Sequence, residues 1–201
     1  MIKNIVFDVG MVLADFCWEK AMHELGFYGE AFERIADATV RSEAWRDFDR
    51  SLKSDEEIFA AFIAKEPELE AEIRLFWEHV ADVIERYPYA EAWVRSFKEQ
   101  GYHCYVLSNY GRRTYDLTKQ KLTFLKLMDG VLFSWQVKQL KPEPEIYQTL
   151  LERYHLKPEE CVFLDDNQDN VAAAERIGMH AIQFTGKEEA ERELRRLLNN
   201  R

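Results

Sequence analysis

The sequence predicts an α/β fold whose core is a doubly wound, Rossmann-like parallel sheet and into which an α-helical cap subdomain is inserted. Two patterns lead to this prediction. From about residue 102 onwards, short apolar runs alternate with helical segments, as in parallel sheets. Between residues 16 and 87, apolar residues recur instead at the three- and four-residue spacing of helices. We therefore expect a core of residues 1–15 with 88–201, and a cap of residues 16–87.

The elements follow in order along the chain. A short apolar strand is predicted over residues 2–7. In the cap, the stretch "LEAEIRLFWEHVADVIERY" predicts one long helix, since its apolar residues fall on one face. A helix follows Pro88, a residue typical of a first turn, and ends near Gly101. Further strands are expected over residues 102–108, 130–135, 161–166 and 180–184, and helices over about 143–154, about 168–177 and the last residues.

Composition excludes some classes of partner. The chain has 201 residues and is 47% apolar, which is enough for a packed core. A formal charge of −10 and a pI near 5.1 argue against nucleic acid and anionic membranes as partners. The three cysteines are widely spaced and are interpreted as buried thiols in a reducing compartment. With no signal-peptide pattern and no apolar run of transmembrane length, we expect a cytoplasmic protein.

Polar residues follow three of the predicted strands. Asp8 ends the first strand just before Gly10, the pair Ser108-Asn109 ends the second core strand, and Asp165-Asp166 ends a later one. In a doubly wound sheet, ligands bind beyond the carboxyl ends of the strands. Each piece alone is also compatible with a cap or a turn. The adjacent aspartates are harder to explain in that way, because two carboxylates at a buried strand end repel each other unless a cation or a proton compensates.

These residues have a shared chemical logic. Carboxylates are hard oxygen ligands of the kind that Mg²⁺ prefers, together with water and phosphate oxygens. The hydroxyl of Ser108 and the ammonium group of Lys141, in "KPEPEIY", are suited to holding a phosphoryl group against Asp8. An aspartate can attack phosphorus and form an aspartyl-phosphate intermediate. The sequence thus favours chemistry on a small phosphorylated metabolite.

The segments "FDVGMVL", "VLSN", "KPEPEIY" and "FLDDNQDNVAAAERIGM" resemble the four ordered motifs of the haloacid dehalogenase superfamily. The position of the helical insert resembles the cap of the subgroup that includes small-molecule phosphatases and phosphoglucomutases. Within it, the first and last motifs are similar to a bacterial branch of sugar phosphatases active on α-D-glucose 1-phosphate. The resemblance implies a hydrolase that acts as a phosphomonoesterase.

The resemblance also implies roles for individual residues. Asp8 would be the nucleophile, and Ser108 and Lys141 would bind phosphate with Asn109 beside them. The implied ligands of Mg²⁺ are Asp8, the backbone carbonyl of Gly10, Asp166 and, directly or through water, Asp165.

Two residues depart from the family pattern. Most phosphatases of the superfamily carry a second aspartate at the position of Gly10, and its side chain serves as general acid and base. Such assistance is typically worth about 10²–10⁴-fold in rate, so we expect a slower enzyme, a substitute group, or a substrate whose leaving group departs easily. The glucose-1-phosphate branch usually has asparagine at the position of Met11. The candidates for a substitute group in or near the cap are Asp15, His23, Asp47 and Asp49.

Three hypotheses remain open. The leading one is a Mg²⁺-dependent phosphatase that acts on a small phosphorylated metabolite, such as a sugar phosphate, through Asp8. The second is a 2-haloacid dehalogenase in which Asp8 attacks carbon, although the acidic pair favours phosphate chemistry. The third is a catalytically inactive regulator that binds a phosphometabolite. Aromatic residues of the cap are interpreted as its core in preference to a substrate pocket: Trp18, Trp45 and Phe48.

Overall fold

The computed structural model describes residues 1–199. The strands among them are β1 (Asn4–Phe7), β2 (Ala14–Phe16), β3 (Ile84–Arg86), β4 (His103–Ser108), β5 (Gly130–Phe133), β6 (Cys161–Asp165) and β7 (His180–Gln183). The α-helices are α1 (Trp18–Glu24), α2 (Gly29–Ala38), α3 (Glu43–Arg50), α4 (Asp55–Lys65), α5 (Glu70–Glu78), α6 (Ala90–Glu99), α7 (Arg112–Thr118), α8 (Ser134–Val137), α9 (Pro144–Arg153), α10 (Gln168–Arg176) and α11 (Lys187–Asn199).

A five-stranded parallel sheet with the order β5-β4-β1-β6-β7 forms the centre of the molecule. All four residues of β1 are buried, because parallel neighbours flank the strand and both faces of the sheet are covered. The chain winds outwards from β1 in both directions, so the strand order reverses beside it. This architecture confirms the predicted α/β, doubly wound fold class.

Alternate residues of the strands enter two apolar layers. On one face, Val6 and Phe163 pack with Tyr147 and other apolar residues of α9 and α10. On the other face, Phe7 packs against Trp93, with ring centroids 5.4 Å apart in an edge-to-face arrangement. The period of two along the buried strands thus divides one apolar run between two helical layers.

The segment between β2 and β3 contains α1 to α5 and the aromatic cluster that packs them together. The prediction of a purely helical segment over residues 16–87 is wrong at its ends. β2 and β3 pair in antiparallel fashion, with Phe16 opposite Ile84. Helix α5 ends at Glu78, and a 3₁₀ turn over Val80–Val83 leads into β3. Ile84 matched the helical spacing, but it instead forms part of this two-stranded link. The division into core and cap stays a prediction.

None of the helices described has an apolar stretch long enough to cross a membrane. The three cysteine thiols are free, with Cys104 and Cys161 buried, whereas Cys17 is partly exposed. The interpretation of all three as buried groups is therefore wrong for Cys17. Cys17 directly follows β2 and precedes α1, where the chain leaves the sheet edge.

Candidate active site

The register of the sheet brings Asp8 and Asp165 side by side. Phe7 pairs with Leu164, and the backbone N–H of Asp8 donates to the Leu164 carbonyl at 2.9 Å. Asp8 and Asp165 each follow these paired residues directly, so both carboxylates emerge at the carboxyl edge of the sheet. Ser108 reaches the same edge as the last residue of β4. Its hydroxyl is close enough to Asp8 to lower the pKa of that carboxyl.

Lys141 lies between the two carboxylates. Its Nζ is 2.8 Å from Asp8 Oδ1 and 2.5 Å from Asp165 Oδ2, and all three side chains are buried. The backbone N–H of Val9 also donates to Asp8 Oδ1, at 2.7 Å, which fixes the orientation of this carboxylate. One ammonium group facing two carboxylates leaves a net negative charge in a desolvated place.

Asn109 holds the loop that carries Lys141. Its Oδ1 accepts a hydrogen bond from the backbone N–H of Lys141 at 2.8 Å, and its Nδ2 donates to the Lys141 carbonyl at 3.1 Å. The Asn109 side chain thus bonds both the N–H and the carbonyl of Lys141, as the backbone of a neighbouring strand does. Asn109 thereby fixes the position of Lys141, and its role beside a phosphoryl group stays a prediction.

Asp165 is fully engaged by donors from behind the site. Its Oδ1 accepts hydrogen bonds from the Asn167 backbone N–H and the Asn170 side chain, both at 2.9 Å. Its Oδ2 accepts from Lys141 and, at 3.1 Å, from the same Asn170 amide. The hydroxyl of Tyr147 donates to the backbone carbonyl of Asn170 at 3.0 Å and so helps to hold the residue that carries this amide. Asp165 therefore has little capacity left for a further direct ligand.

Asp166 is the exposed member of the acidic group. Asp8, Asp165 and Asp166 each offer a carboxylate oxygen, and these three oxygens lie within 4.8 Å of one another. Burial raises the pKa of Asp166, and the neighbouring Asp165 raises it further. Hard oxygen donors at this spacing suit a small divalent cation, whose charge would offset their mutual repulsion.

The pKa values of Asp8 and Lys141 reflect the charges that surround them. Burial raises the pKa of Asp8 from 3.8 to about 7; Lys141 opposes this rise and Asp165 adds to it. For Lys141, burial disfavours the charged form, yet the carboxylates of Asp165 and Asp8 outweigh burial and raise its pKa. Lys141 therefore stays protonated, and Asp8 is the group whose ionisation is costly.

A cavity of about 190 Å³ opens onto this edge of the sheet. Its wall on the sheet side is polar and includes Asp8, Ser108 and Asp166. Its opposite wall is mainly apolar and comes from the inserted segment and the β2–β3 link: Phe16, Trp45, Val83 and Ile84. A substrate whose phosphoryl group lies against Asp8 would thus have its organic part between apolar side chains.

Trp45 has two roles. Only 8% of its surface is exposed, and it packs against Phe16 and Phe48, so the prediction of a core aromatic is confirmed. It nevertheless also lines the cavity. Phe48 is core, whereas Trp18 is partly exposed, stacks on Phe32 and is not among the residues that line the cavity.

One of the four candidates for a substitute acid or base lines the cavity, and it is Asp49. Asp47 instead pairs with Lys53 at 2.7 Å, and His23 stacks between Tyr28 and Phe32. Burial raises the pKa of Asp49 to about 7, and the charge of Asp8 adds to the rise. Asp15 lies in β2, outside the cavity lining.

The structure brings all seven residues of the predicted site to one edge of the sheet. Asp8, Gly10, Ser108, Asn109 and Asp166 line the cavity, and Lys141 and Asp165 lie directly behind Asp8. Sequence reasoning missed two supporting residues, Asn170 and Tyr147. The only signal for Asn170 was its place in the motif "DDNQDN", one turn after the helix N-cap.

Comparison with known proteins identifies the family. The family model for haloacid dehalogenase-like hydrolases matches residues 2–178. The chain belongs to this family. Membership confirms the resemblance of the four motifs, and it confirms that the protein is a hydrolase. The match includes the segment between β2 and β3.

Individual proteins are similar over all or nearly all of the chain. D-ribitol-5-phosphate phosphatase of Bacteroides thetaiotaomicron is 26% identical over 223 residues and covers 100% of both chains. The structure of a predicted HAD-like family hydrolase from Porphyromonas gingivalis has a TM-score of 0.77 at 28% identity, with 100% of both chains covered. The magnesium complex of the HAD family enzyme BT-2542 from B. thetaiotaomicron has a TM-score of 0.78 at 20% identity, covering 96% of this chain and 98% of the other.

Proposed function

We propose that this protein is a Mg²⁺-dependent phosphatase that hydrolyses a small phosphorylated metabolite through an aspartyl-phosphate on Asp8. One observation carries the proposal. A buried carboxylate, oriented by Lys141 and the Val9 backbone N–H, lines a cavity beside two further carboxylates whose oxygens lie within 4.8 Å of its own. The phosphatase activity in the name of the full-length relative from B. thetaiotaomicron supports the reaction type.

The residues present fit a Mg²⁺ ion. Asp8, Asp166 and the backbone carbonyl of Gly10 would hold it, and Asp165, whose oxygens already accept hydrogen bonds, would contact it through water. When bound, the cation neutralises charge between the phosphoryl group and the acidic residues. The magnesium bound in the structure of BT-2542 supports this assignment.

The side chains of the chain itself perform the transfer. Asp8 attacks phosphorus with its free oxygen, while Lys141 and the Val9 N–H hold the other oxygen in place. The Ser108 hydroxyl and the ammonium group of Lys141 bind phosphoryl oxygens. Asn109 keeps Lys141 at the position where it serves both the nucleophile and the phosphate.

A sugar phosphate is the substrate class we favour. Aromatic rings such as Trp45 and Phe16 are suited to packing against the apolar face of a sugar ring, and the polar groups at the sheet edge would fix its phosphate. The free thiols and the acidic charge are compatible with the cytoplasmic location expected from the sequence.

The test is hydrolysis of p-nitrophenyl phosphate by wild type, Asp8→Asn and the control Asp47→Asn. We expect activity that requires Mg²⁺, is lost in Asp8→Asn and is kept in the control, because Asp47 pairs with Lys53 and does not line the cavity. Hydrolysis that persists in Asp8→Asn would exclude the mechanism. A panel of hexose 1-phosphates, hexose 6-phosphates, flavin mononucleotide and nucleotides, supplied with Mg²⁺, then tests the substrate class.

The same preparations separate the alternatives. A dehalogenase would release halide from 2-haloacids in the presence of a chelator, since displacement of halide from carbon needs no metal. A regulator would bind a phosphometabolite tightly without turnover. The adjacent carboxylates Asp165 and Asp166 argue against the dehalogenase, because the one ammonium group of Lys141 does not offset three carboxylates and attack on carbon brings no metal ion to do so.

A further inference from the structure

Gly10 leaves a gap where the reaction needs a proton donor. Gly10 lines the cavity, and a Cβ built on it meets no atom within 4 Å, so the space above the residue is open. A leaving alkoxide must nevertheless receive a proton, and the water that cleaves the aspartyl-phosphate must lose one. A carboxylate elsewhere in the cavity wall is the kind of group that performs both steps.

Asp49 lines the same cavity as Gly10, and its carboxylate interacts with the charge of Asp8 and with the backbone N–H of Gly111. It lies in the last turn of α3, directly after Phe48, whose ring is buried in the aromatic cluster. Among the residues that line the cavity, the carboxylates are those of Asp8, Asp49 and Asp166. Since Asp8 and Asp166 belong to the phosphoryl and metal side, Asp49 is the carboxylate left for proton transfer.

The end of α3 is fixed to the sheet edge on both sides of Asp49. The hydroxyl of Ser134, at the start of α8, donates to the Asp49 carbonyl at 2.6 Å. Arg50 forms an ion pair with Glu143, and Lys138 donates to the carbonyl of Ser51. These contacts place the carboxylate on a rigid support, as a group in proton transfer requires.

Gly111 allows this close approach. A Cβ on Gly111 would lie 3.0 Å from the ring of Phe48, so a side chain there would push α3 away from the loop that follows β4. The backbone φ of Gly111 is −71°, a value open to any residue. Glycine is therefore favoured at this position for space and not for conformation. Its backbone N–H also interacts with the Asp49 carboxylate.

We propose that Asp49 is the general acid and base of this enzyme, in place of the side chain that Gly10 lacks. The inference rests on the proposed phosphatase function. As Asp8 attacks phosphorus, the bond from phosphorus to the leaving oxygen breaks, and the Asp49 carboxyl gives that oxygen its proton. The Asp49 carboxylate then takes a proton from water as the water oxygen attacks phosphorus. The bond from phosphorus to Asp8 breaks, which releases inorganic phosphate and restores both aspartates. The raised pKa of Asp49 supports this role, because a carboxyl that titrates near neutral pH can act in both directions.

The test compares two aryl phosphates of similar shape and different leaving-group strength. p-Nitrophenolate leaves without protonation, whereas phenolate, from phenyl phosphate, leaves poorly unless it is protonated. In single-turnover measurements we expect Asp49→Asn to slow transfer from phenyl phosphate by about 10²–10³-fold and transfer from p-nitrophenyl phosphate much less. With excess p-nitrophenyl phosphate, the variant should release one fast equivalent of p-nitrophenol and then turn over slowly, because water attack on the intermediate has lost its base.

Two further variants make the test decisive. Asp47→Asn, on the same helix, should behave as wild type with both substrates. In the double variant Gly10→Asp with Asp49→Asn, the open space above residue 10 admits a new carboxylate, and activity with phenyl phosphate should recover at least tenfold over Asp49→Asn alone. Equal losses of Asp49→Asn with both substrates and no burst would overturn the assignment. Normal rates of Asp49→Asn would overturn it as well. Activity of Asp8→Asn would instead overturn the phosphatase mechanism itself.

Discussion

Asp8→Asn should stabilise the metal-free protein, and the gain should grow with pH. The pKa of Asp8 rises from 3.8 to about 7 on folding, chiefly because the carboxyl is buried. This rise in the pKa of Asp8 corresponds to a folding cost of roughly 4 kcal/mol for the ionised group. An asparagine avoids this cost, but it weakens the contact with Lys141. We therefore expect a net gain of about 1–3 kcal/mol at pH 8.

The two pKa values of Asp8 give the pH window. Below about pH 4 the carboxyl is protonated in both states, so ionisation has no effect on the stability of wild type. Between about pH 4 and pH 7 the carboxyl of Asp8 is ionised in the unfolded chain and protonated in the folded protein. Wild type therefore loses stability relative to the variant as pH rises. Above about pH 7 the difference is constant. The gain at pH 8 should exceed the gain at pH 5 by about 2–3 kcal/mol.

The assay is urea denaturation at pH 5, 6, 7 and 8 with a chelator present, followed by circular dichroism. Asp47→Asn serves as the control, because its partner Lys53 is solvent-accessible and its effect should be small at every pH. A difference between wild type and Asp8→Asn that is the same at pH 5 and pH 8 would refute the reasoning, since it would mean that burial does not shift the ionisation of Asp8.

Three further perturbations test the supports of the site. Added Mg²⁺ should raise the melting temperature of wild type, since a ligand at 100 times its Kd adds about 2.7 kcal/mol to the free energy of unfolding. It should have little effect on the melting temperature of Asp166→Asn. Asn109→Ala removes two hydrogen bonds to the backbone of Lys141 and should cost about 1–3 kcal/mol in urea denaturation. Met11 has a left-handed φ of 58°, so Met11→Asn should gain roughly 1 kcal/mol; a loss of stability would contradict the strain.

The core of the fold was predictable because its strands are short, apolar and buried on both faces. In such a strand the end is marked by the first polar residue, which is why Asp8 and Ser108 were located correctly. The β2–β3 link was not predictable in the same way. Three-residue strands carry too little pattern, and Ile84 fitted the helical spacing of α5 as well as it fits a strand.

The residues of the candidate site also fall into two groups, those that the sequence locates and those that only the structure shows. Six of its seven predicted residues lie within two or three residues of a strand end, and Lys141 stands in the motif "KPEPEIY", so the sequence motifs locate them. Asn170 donates to Asp165 from its side chain, and Tyr147 donates to the Asn170 backbone carbonyl, a contact that depends on how α9 packs against α10. Asp49 depends on how α3 packs against the loop after β4. Packing between elements distant in the sequence leaves no local pattern. For this reason the sequence offers four candidates for a substitute acid or base, and only the structure shows that Asp49 lines the cavity.

The position of Asp49 also bears on the departures from the family pattern. A carboxylate at residue 10 would lie on the same loop as Asp8, and the nucleophile and the proton donor would then belong to one rigid element. A donor on α3 belongs instead to the segment between β2 and β3. Proton transfer would then depend on the contacts of Ser134, Arg50 and Gly111 that hold α3 against the sheet edge. A substrate large enough to push α3 away from the sheet edge would contact Asp8 but not Asp49. The size of its organic group would therefore affect the rate of proton transfer as well as binding.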